Sequence, residues 1–212
     1  IRYIGAGALA AGGIISLLKS LTLIIKTFGG AMKNMKGAGA SSTERTARDV
    51  SMKVVIAAVL ILTVLIWLIP AIPVSLLGAF IIVVFGFFFA TVSSRMVGLV
   101  GSSNNPVSGM AIATLLIATS VLKLTVDNTP QGIAGGMESA IAIGSIICIV
   151  SAIAGDTSQD LKTGYILGAT PRKQQTGEII GVIASALAIG GTLYLLDSAW
   201  TFGSDELGAP QA

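Results

Sequence analysis

The sequence predicts an all-α, polytopic transmembrane helix bundle, and three observations carry that prediction. Only 11% of the 212 residues are charged, where a soluble domain carries about 25%. Mean hydropathy is +0.89. The hydrophobic residues, 53% of the chain, fall into long runs separated by short polar stretches. A water-soluble fold needs a polar skin that this composition cannot supply, so hydrocarbon is the expected solvent.

Six apolar segments approach the length of about 20 residues that a spanning helix needs. The first covers 3–28, is rich in Gly and Ala, and is interrupted by Lys19 and Lys26. The second covers 54–68 and ends at the turn Pro70-Ala71-Ile72-Pro73. The third, 74–92, carries no charge and contains Phe87-Phe88-Phe89. The fourth is 107–124, the fifth 133–154 and the sixth 179–196. The small residues in the first, fifth and sixth have a physical role. Lipid gives helices no hydrophobic reason to associate, so close backbone approach at Gly and Ala supplies the packing.

Charge is asymmetric about these segments. The connectors 29–53, 93–106 and 155–175 hold Lys33, Lys36, Arg45, Arg48, Lys53, Arg95, Lys162, Arg172 and Lys173. The alternate connectors, 69–73 and 125–132, and the tail 197–212 hold no Lys or Arg, although Arg2 and Lys123 lie near that side. The positive-inside rule puts the basic connectors in the cytoplasm. Basic residues confined to such loops argue against nucleic acid as a partner. Trp67, Tyr194 and Trp200 suit interfacial aromatic belts.

Absences exclude chemistry. There is no His, which removes the commonest general base and metal ligand. The single Cys148 lies in an apolar run, so no intrachain disulfide forms and a packing role is expected. An intramembrane protease would need a Ser–His dyad or two aspartates on separate helices. Asp156 and Asp160 share one stretch, so no enzyme, cofactor or resident metal site is expected. The chain opens on Ile1 and stops in a polar stretch, which reads as a fragment of a longer protein.

Two polar motifs are more than connectors. The first is Gly101-Ser102-Ser103-Asn104-Asn105-Pro106-Val107-Ser108-Gly109-Met110. Pro106 suits the first turn of a helix, Asn105 can cap it, and the serines and asparagines offer uncharged donors and acceptors. Helix N-termini in polar pockets favour anionic groups and often line transport paths. The second is Gly155-Asp156-Thr157-Ser158-Gln159-Asp160-Leu161-Lys162-Thr163-Gly164-Tyr165, followed by Gly168-Ala169-Thr170-Pro171-Arg172-Lys173-Gln174-Gln175. On a helix Asp156 and Asp160 would share a face, but the order of residues is not that of a P-loop. A solvated loop with local ion pairs is the plain alternative. Glu138, five residues into the fifth segment, would face the bundle interior or a wet cavity if deep in the bilayer. It is the candidate for carrying a coupling proton. An interfacial position is the other reading.

Both motifs resemble signatures of the oligopeptide transporter family. Arg2-Tyr3-Ile4-Gly5-Ala6-Gly7-Ala8 is similar to the start of a family helix, and Ala209-Pro210-Gln211-Ala212 to the opening of a further family segment. The prokaryotic branch, related to the yellow-stripe-like metal-chelate carriers, is the most similar. The resemblance implies a proton-driven secondary carrier of roughly sixteen spans, seated in a bacterial cytoplasmic membrane. Its substrates would be short peptides or metal ions already held in peptide-like chelators. Partners would be protons, lipid and the remaining helices of the full-length carrier. It implies substrate contacts at Asn104, Asn105, Pro106, Ser108 and Gly109, and a polar gate or binding region at Asp156, Gln159, Asp160 and Lys162. The segment before Pro106 would dip into the membrane and return. A passive channel-like pore for small polar solutes is the competing reading, since the Asn-Pro element also resembles channel half-helices.

Overall fold

The computed structural model describes residues 44–101, 105 and 107–200, together with 4, 5, 7, 8, 11, 12, 15 and 18. The last eight are helical and exposed. The rest of segment 3–28, with Lys19 and Lys26, lies outside the described residues, as do Asn104 and Pro106. A short 3-10 turn, Arg45–Ala47, precedes five helices: α1 (Met52–Leu68), α2 (Leu76–Val100), α3 (Val107–Leu122), α4 (Pro130–Leu167) and α5 (Pro171–Trp200). The described residues contain no strand. α1, α2, α4 and α5 are long and apolar enough to cross a membrane, and α3 is shorter.

Helix ends follow from local chemistry. Ser75 caps α2 by accepting from Gly78 N at 3.2 Å. Thr129 caps α4 by accepting from Gly132 N at 3.1 Å, with Pro130 at the first position, where its missing N–H costs nothing. The end of α4 is set by Gly168, whose φ of 70° is left-handed. Gly168 N donates to Tyr165 O at 3.2 Å and Ala169 N to Gly164 O at 2.8 Å, the paired bonds of a Schellman motif. Pro171 then opens α5 immediately.

This changes one expectation. The stretch from Asp156 to Tyr165, read as a loop, is helical and continuous with the apolar span. At 1.5 Å per residue, the 38 residues of α4 reach about 57 Å, well beyond a hydrocarbon core of about 30 Å. The reason is that nothing in Asp156–Leu167 breaks a helix until Gly168. Polarity marks where lipid ends, which is a different point from where the helix ends.

The core is built by α2, α3 and α4. α4 presents Ala140, Gly144, Ile147, Ser151 and Gly155 as one buried ridge, with the near-fourfold spacing that packs helix on helix. Against it α2 sets Ala79, Ile82, Gly86, Phe89 and Ser93, and α3 adds Met110, Ala113, Thr114 and Ala118. Phe88 and Phe89 meet edge to face with centroids 5.6 Å apart. α1 and α5 differ: neither buries a residue of its apolar window inside the described bundle. Leu60, Ile61, Ile180 and Leu187 on these helices are all more than half exposed, as side chains that face hydrocarbon or other helices should be.

The ends of the bundle are chemically distinct. Arg45, Arg48, Lys53, Arg95, Lys162, Arg172 and Lys173 gather where α1 and α5 begin and α2 and α4 end. Trp67 and Tyr194 lie toward the other end, both exposed. At the basic end the segment before α1 is pinned to the α4–α5 turn. Arg45 donates to Gly168 O at 2.8 Å and to Thr170 Oγ1 at 3.1 Å. Arg172 N donates to Arg48 O at 3.0 Å. Gln175 accepts from Val50 N at 3.1 Å and donates to Asp49 Oδ1 at 3.0 Å.

Candidate functional site

The candidate site is a buried polar contact at the start of α3. α3 has 16 residues and so spans about 24 Å, less than the hydrocarbon thickness. Its start packs against the bundle: Asn105, Val107 and Gly109 are half-buried and Met110 is buried, while Ser108 is exposed. Asn105 places its amide nitrogen on Ser93 Oγ and 3.3 Å from Ser151 O. Ser93 Oγ in turn donates to Ser151 O at 2.5 Å. Ser93 and Ser151 are both 0% exposed. Ser93 stands seven residues, or about 10 Å, before the end of α2. The contact therefore lies toward the basic end of the spans.

Gly155 makes this meeting of three segments possible. A Cβ there would stand 2.9 Å from Asn105 Nδ2, 3.1 Å from Ser93 Oγ and 3.3 Å from Val97 Cγ2. The amide occupies the space that any side chain at 155 would need. Ser151 Oγ is enclosed and has no hydrogen-bond partner among the described residues. The site thus keeps one spare hydroxyl beside its satisfied carbonyl.

The polar end of α4 divides its faces between neighbours. Gly155, Ser158 and Lys162 turn to α2. Ser158 Oγ donates to Ser94 O at 2.7 Å, and Lys162 Nζ to Gly98 O at 2.6 Å. Thr157 and Gly164 turn the opposite way, to α5, where Thr157 Oγ1 donates to Glu178 Oε2 at 2.9 Å and Gln174 packs over Gly164. Asp156 and Asp160 lie between these faces, both exposed, and Gln159 is half-buried.

The sequence-expected residues are thus partly gathered. Asn105 joins α2 and α4, with Ser108 exposed and Gly109 half-buried in the first turn that follows. Asp156, Gln159, Asp160 and Lys162 share one helix beyond this contact. Lys162 closes the last turn of α2, where a cation also favours the helix dipole. Lys162→Met should cost under about 1 kcal/mol in stability while speeding amide exchange at residues 98–101. Hydrogen–deuterium exchange on the full-length carrier checks this. Glu138 is exposed on α4, far along the helix from the Asn105 contact.

Four residues were missed by sequence reading: Ser93, Ser151, Gln174 and Glu178. Ser93 and Ser151 sit inside or beside apolar runs, and a Ser in a span is a weak signal by itself. A stronger one was available in the spacing Ser151, Gly155, Ser158, Lys162, which repeats a helix face straight through the supposed loop boundary. Two grooves lie at the other end of the bundle. One, of about 590 Å³, runs past Pro73, Ser75, Gln131 and Ser139. The other, of about 230 Å³, is lined by Thr119, Lys123, Asp127 and Met137 among others. Neither includes an expected site residue.

Helices of this length and apolarity, with basic residues collected at one end and aromatic residues toward the other, define an integral, multi-pass α-helical membrane protein. The chain belongs to the OPT oligopeptide transporter family: the model of that family, "OPT oligopeptide transporter protein", matches residues 1–212. It is similar to a Haemophilus influenzae protein named "Putative oligopeptide transporter", 32% identical over 241 residues covering 100% of this chain and 38% of the relative. A Saccharomyces cerevisiae protein with the same description is 30% identical over 108 residues, covering 51% of this chain and 14% of the relative. The chain therefore spans well under half the length of these relatives. No solved structure matches it.

Proposed function

We propose that this chain forms part of a secondary active carrier that takes up short peptides, or metal ions held in peptide-like chelators, with protons. The reading rests most on one observation: a short helix begins against an apolar bundle, where half-buried Asn105 meets the buried uncharged groups of Ser93 and Ser151, in a member of the oligopeptide transporter family. Peptide backbones present N–H and C=O groups that need partners once they leave water. A cluster of Asn and Ser groups offers such partners without the insertion cost of a charge.

In this reading Asn105, Ser108 and Gly109 line the path, together with Asn104 and Pro106. Asp156, Gln159, Asp160 and Lys162 flank it on the basic, cytoplasmic side. The bare faces of α1 and α5 meet lipid and the remaining helices of the carrier. Alternating access moves one group of helices against another around this contact. The membrane is a bacterial cytoplasmic one, and the yellow-stripe-like branch offers the nearest model for chelate cargo.

Uptake by the full-length parent in proteoliposomes tests the proposal. Radiolabelled di- to pentapeptides and iron chelates are supplied with and without an inward proton gradient. Uptake that stalls when the gradient is dissipated supports a symporter. Uptake indifferent to the gradient means a passive pore and overturns the proposal.

A further inference from the structure

The hydrogen bonds that join one helix to another, from Asn105–Ser151 to Ser158–Ser94, Lys162–Gly98 and Thr157–Glu178, lie at or toward the basic end. The two grooves lie at the opposite end, the outer one in the carrier reading. They share Leu122, Val126, Asp127 and Gly136, so the α3–α4 connector forms the wall between them. Gly136 lets that connector lie close on α4, since a Cβ there would stand 3.2 Å from Val126 Cγ2.

The smaller groove, of about 230 Å³, is lined by one cation and one anion, Lys123 and Asp127. Both are exposed. Neither side chain is held by a hydrogen bond or ion pair to another described residue, and the two do not pair with each other. The rest of the lining is mostly apolar, with Leu122, Ile133 and Met137, and Asn128 adds an uncharged donor and acceptor. Glu138 is exposed at the next position of α4 and is not part of the lining. Two opposite charges beside an apolar floor match one ligand chemistry. An ammonium group is matched by the carboxylate, a carboxylate by the ammonium, and the body between them by the floor. A di- or tripeptide with free ends has all three, and extends over about 7–11 Å.

We propose that this groove is the outer receiving site for a short peptide with free ends, Asp127 taking its α-ammonium group and Lys123 its α-carboxylate. The assignment rests on the carrier reading above and names its cargo by the two termini. α3 joins the groove to the Asn105 contact. Thr119 and Lys123 stand at one end of its 16 residues and Asn105 just before the other, a separation of about 24 Å. A peptide held by charge at the outer end thus reaches uncharged partners at Asn105, Ser108 and Gly109 by moving along one helix.

The test uses the full-length carrier in proteoliposomes, with uptake of radiolabelled trialanine under an inward proton gradient. Unlabelled trialanine should compete. Its N-acetylated and C-amidated forms should compete about five- to tenfold more weakly, between the effect of an exposed ion pair and that of a charge-assisted hydrogen bond. Asp127→Asn should raise the KM by a similar factor with kcat little changed, and should abolish discrimination against the acetylated form alone. Lys123→Gln should do the same for the amidated form alone. Lys173→Gln, which removes a cation at the basic end, should change neither. Equal competition by blocked and free peptides in the wild type overturns the assignment, whether or not the variants fold. So does discrimination that survives in both folded variants, or that Lys173→Gln also removes. A wild type that carries chelates and no peptide overturns the assignment and leaves the carrier reading standing. A wild type that carries neither overturns both.

Discussion

Gly155→Leu is expected to abolish uptake by the full-length carrier while the protein still inserts in the membrane. The obstacle is steric. Even a Cβ at 155 would lie 2.9 Å from Asn105 Nδ2 and 3.1 Å from Ser93 Oγ. A Leu adds three more carbons in a place with no free volume. Two of the facing atoms belong to the polar contact itself, and the third, Val97 Cγ2 at 3.3 Å, lies in the α2–α4 core. The least costly relaxation displaces Asn105, because it sits in a connector while Ser93 and Val97 are held on α2. Overpacking of this kind costs about 1–3 kcal/mol. Spent on the geometry of the path, that corresponds to roughly a 5- to 150-fold slower transport step. Gly155→Ala should show a smaller loss of the same kind. Uptake rates and detergent-solubilised melting curves, measured together, separate this from simple unfolding. Wild-type uptake by Gly155→Leu would mean that the Asn105 contact is not on the path.

The second large effect is expected at Asn105, where the substitution can be nearly isosteric. Asn105→Asp keeps the shape and replaces the donating amide by an acceptor. That acceptor would face Ser151 O, now 3.3 Å from the nitrogen. Ser93 Oγ, which donates to the same carbonyl, would be drawn away to the new carboxylate, leaving Ser151 O with its bond within α4 alone and a charged acceptor facing it. A buried unpaired polar group costs about 1–3 kcal/mol, and a buried charge more. Uptake should fall by at least about tenfold. Asn105→Ser, which removes the reach but adds no charge, should fall by less. The order of the two variants is the informative readout. An Asp that transports better than Ser would show that position 105 needs only shape.

Much of the architecture was legible because lipid writes a coarse signal. Segments 54–68 and 107–124 match α1 and α3 to within two residues at each end, since apolar run and helix coincide there. The fifth segment, 133–154, is a different case. Its apolar part was found, but α4 continues to Leu167. Hydropathy reports burial in hydrocarbon, whereas Gly168 reports the helix end, and the two signals are fourteen residues apart. Segment 179–196 missed the start of α5 at Pro171 for the same reason. Gln174 therefore falls in the connector 155–175 and Glu178 between that connector and the sixth segment, where neither reads as part of a helix face.

The candidate site was legible as chemistry and not as geometry. Asn105 stood out because Asn before Pro at a helix start is a specific local arrangement. Its partners could not be read, because Ser93 is 12 residues before it and Ser151 is 46 residues after it. Only packing between helices brings those together. Lys162 illustrates the converse. Its charge marked it as a site candidate, and the structure gives it a definite bond to the carbonyl of Gly98 at 2.6 Å.

If the Asn105 contact lies on the transport route, the first turn of α3 borders a water-accessible path for cargo. Ser108 is exposed and one residue into that turn. In a full-length background with Cys148 and any other cysteine replaced, Ser108→Cys should react with a membrane-impermeant maleimide. A saturating peptide that drives uptake should slow that labelling severalfold. Labelling that is absent from both sides of the membrane, or unaffected by transported peptide, would contradict the claim.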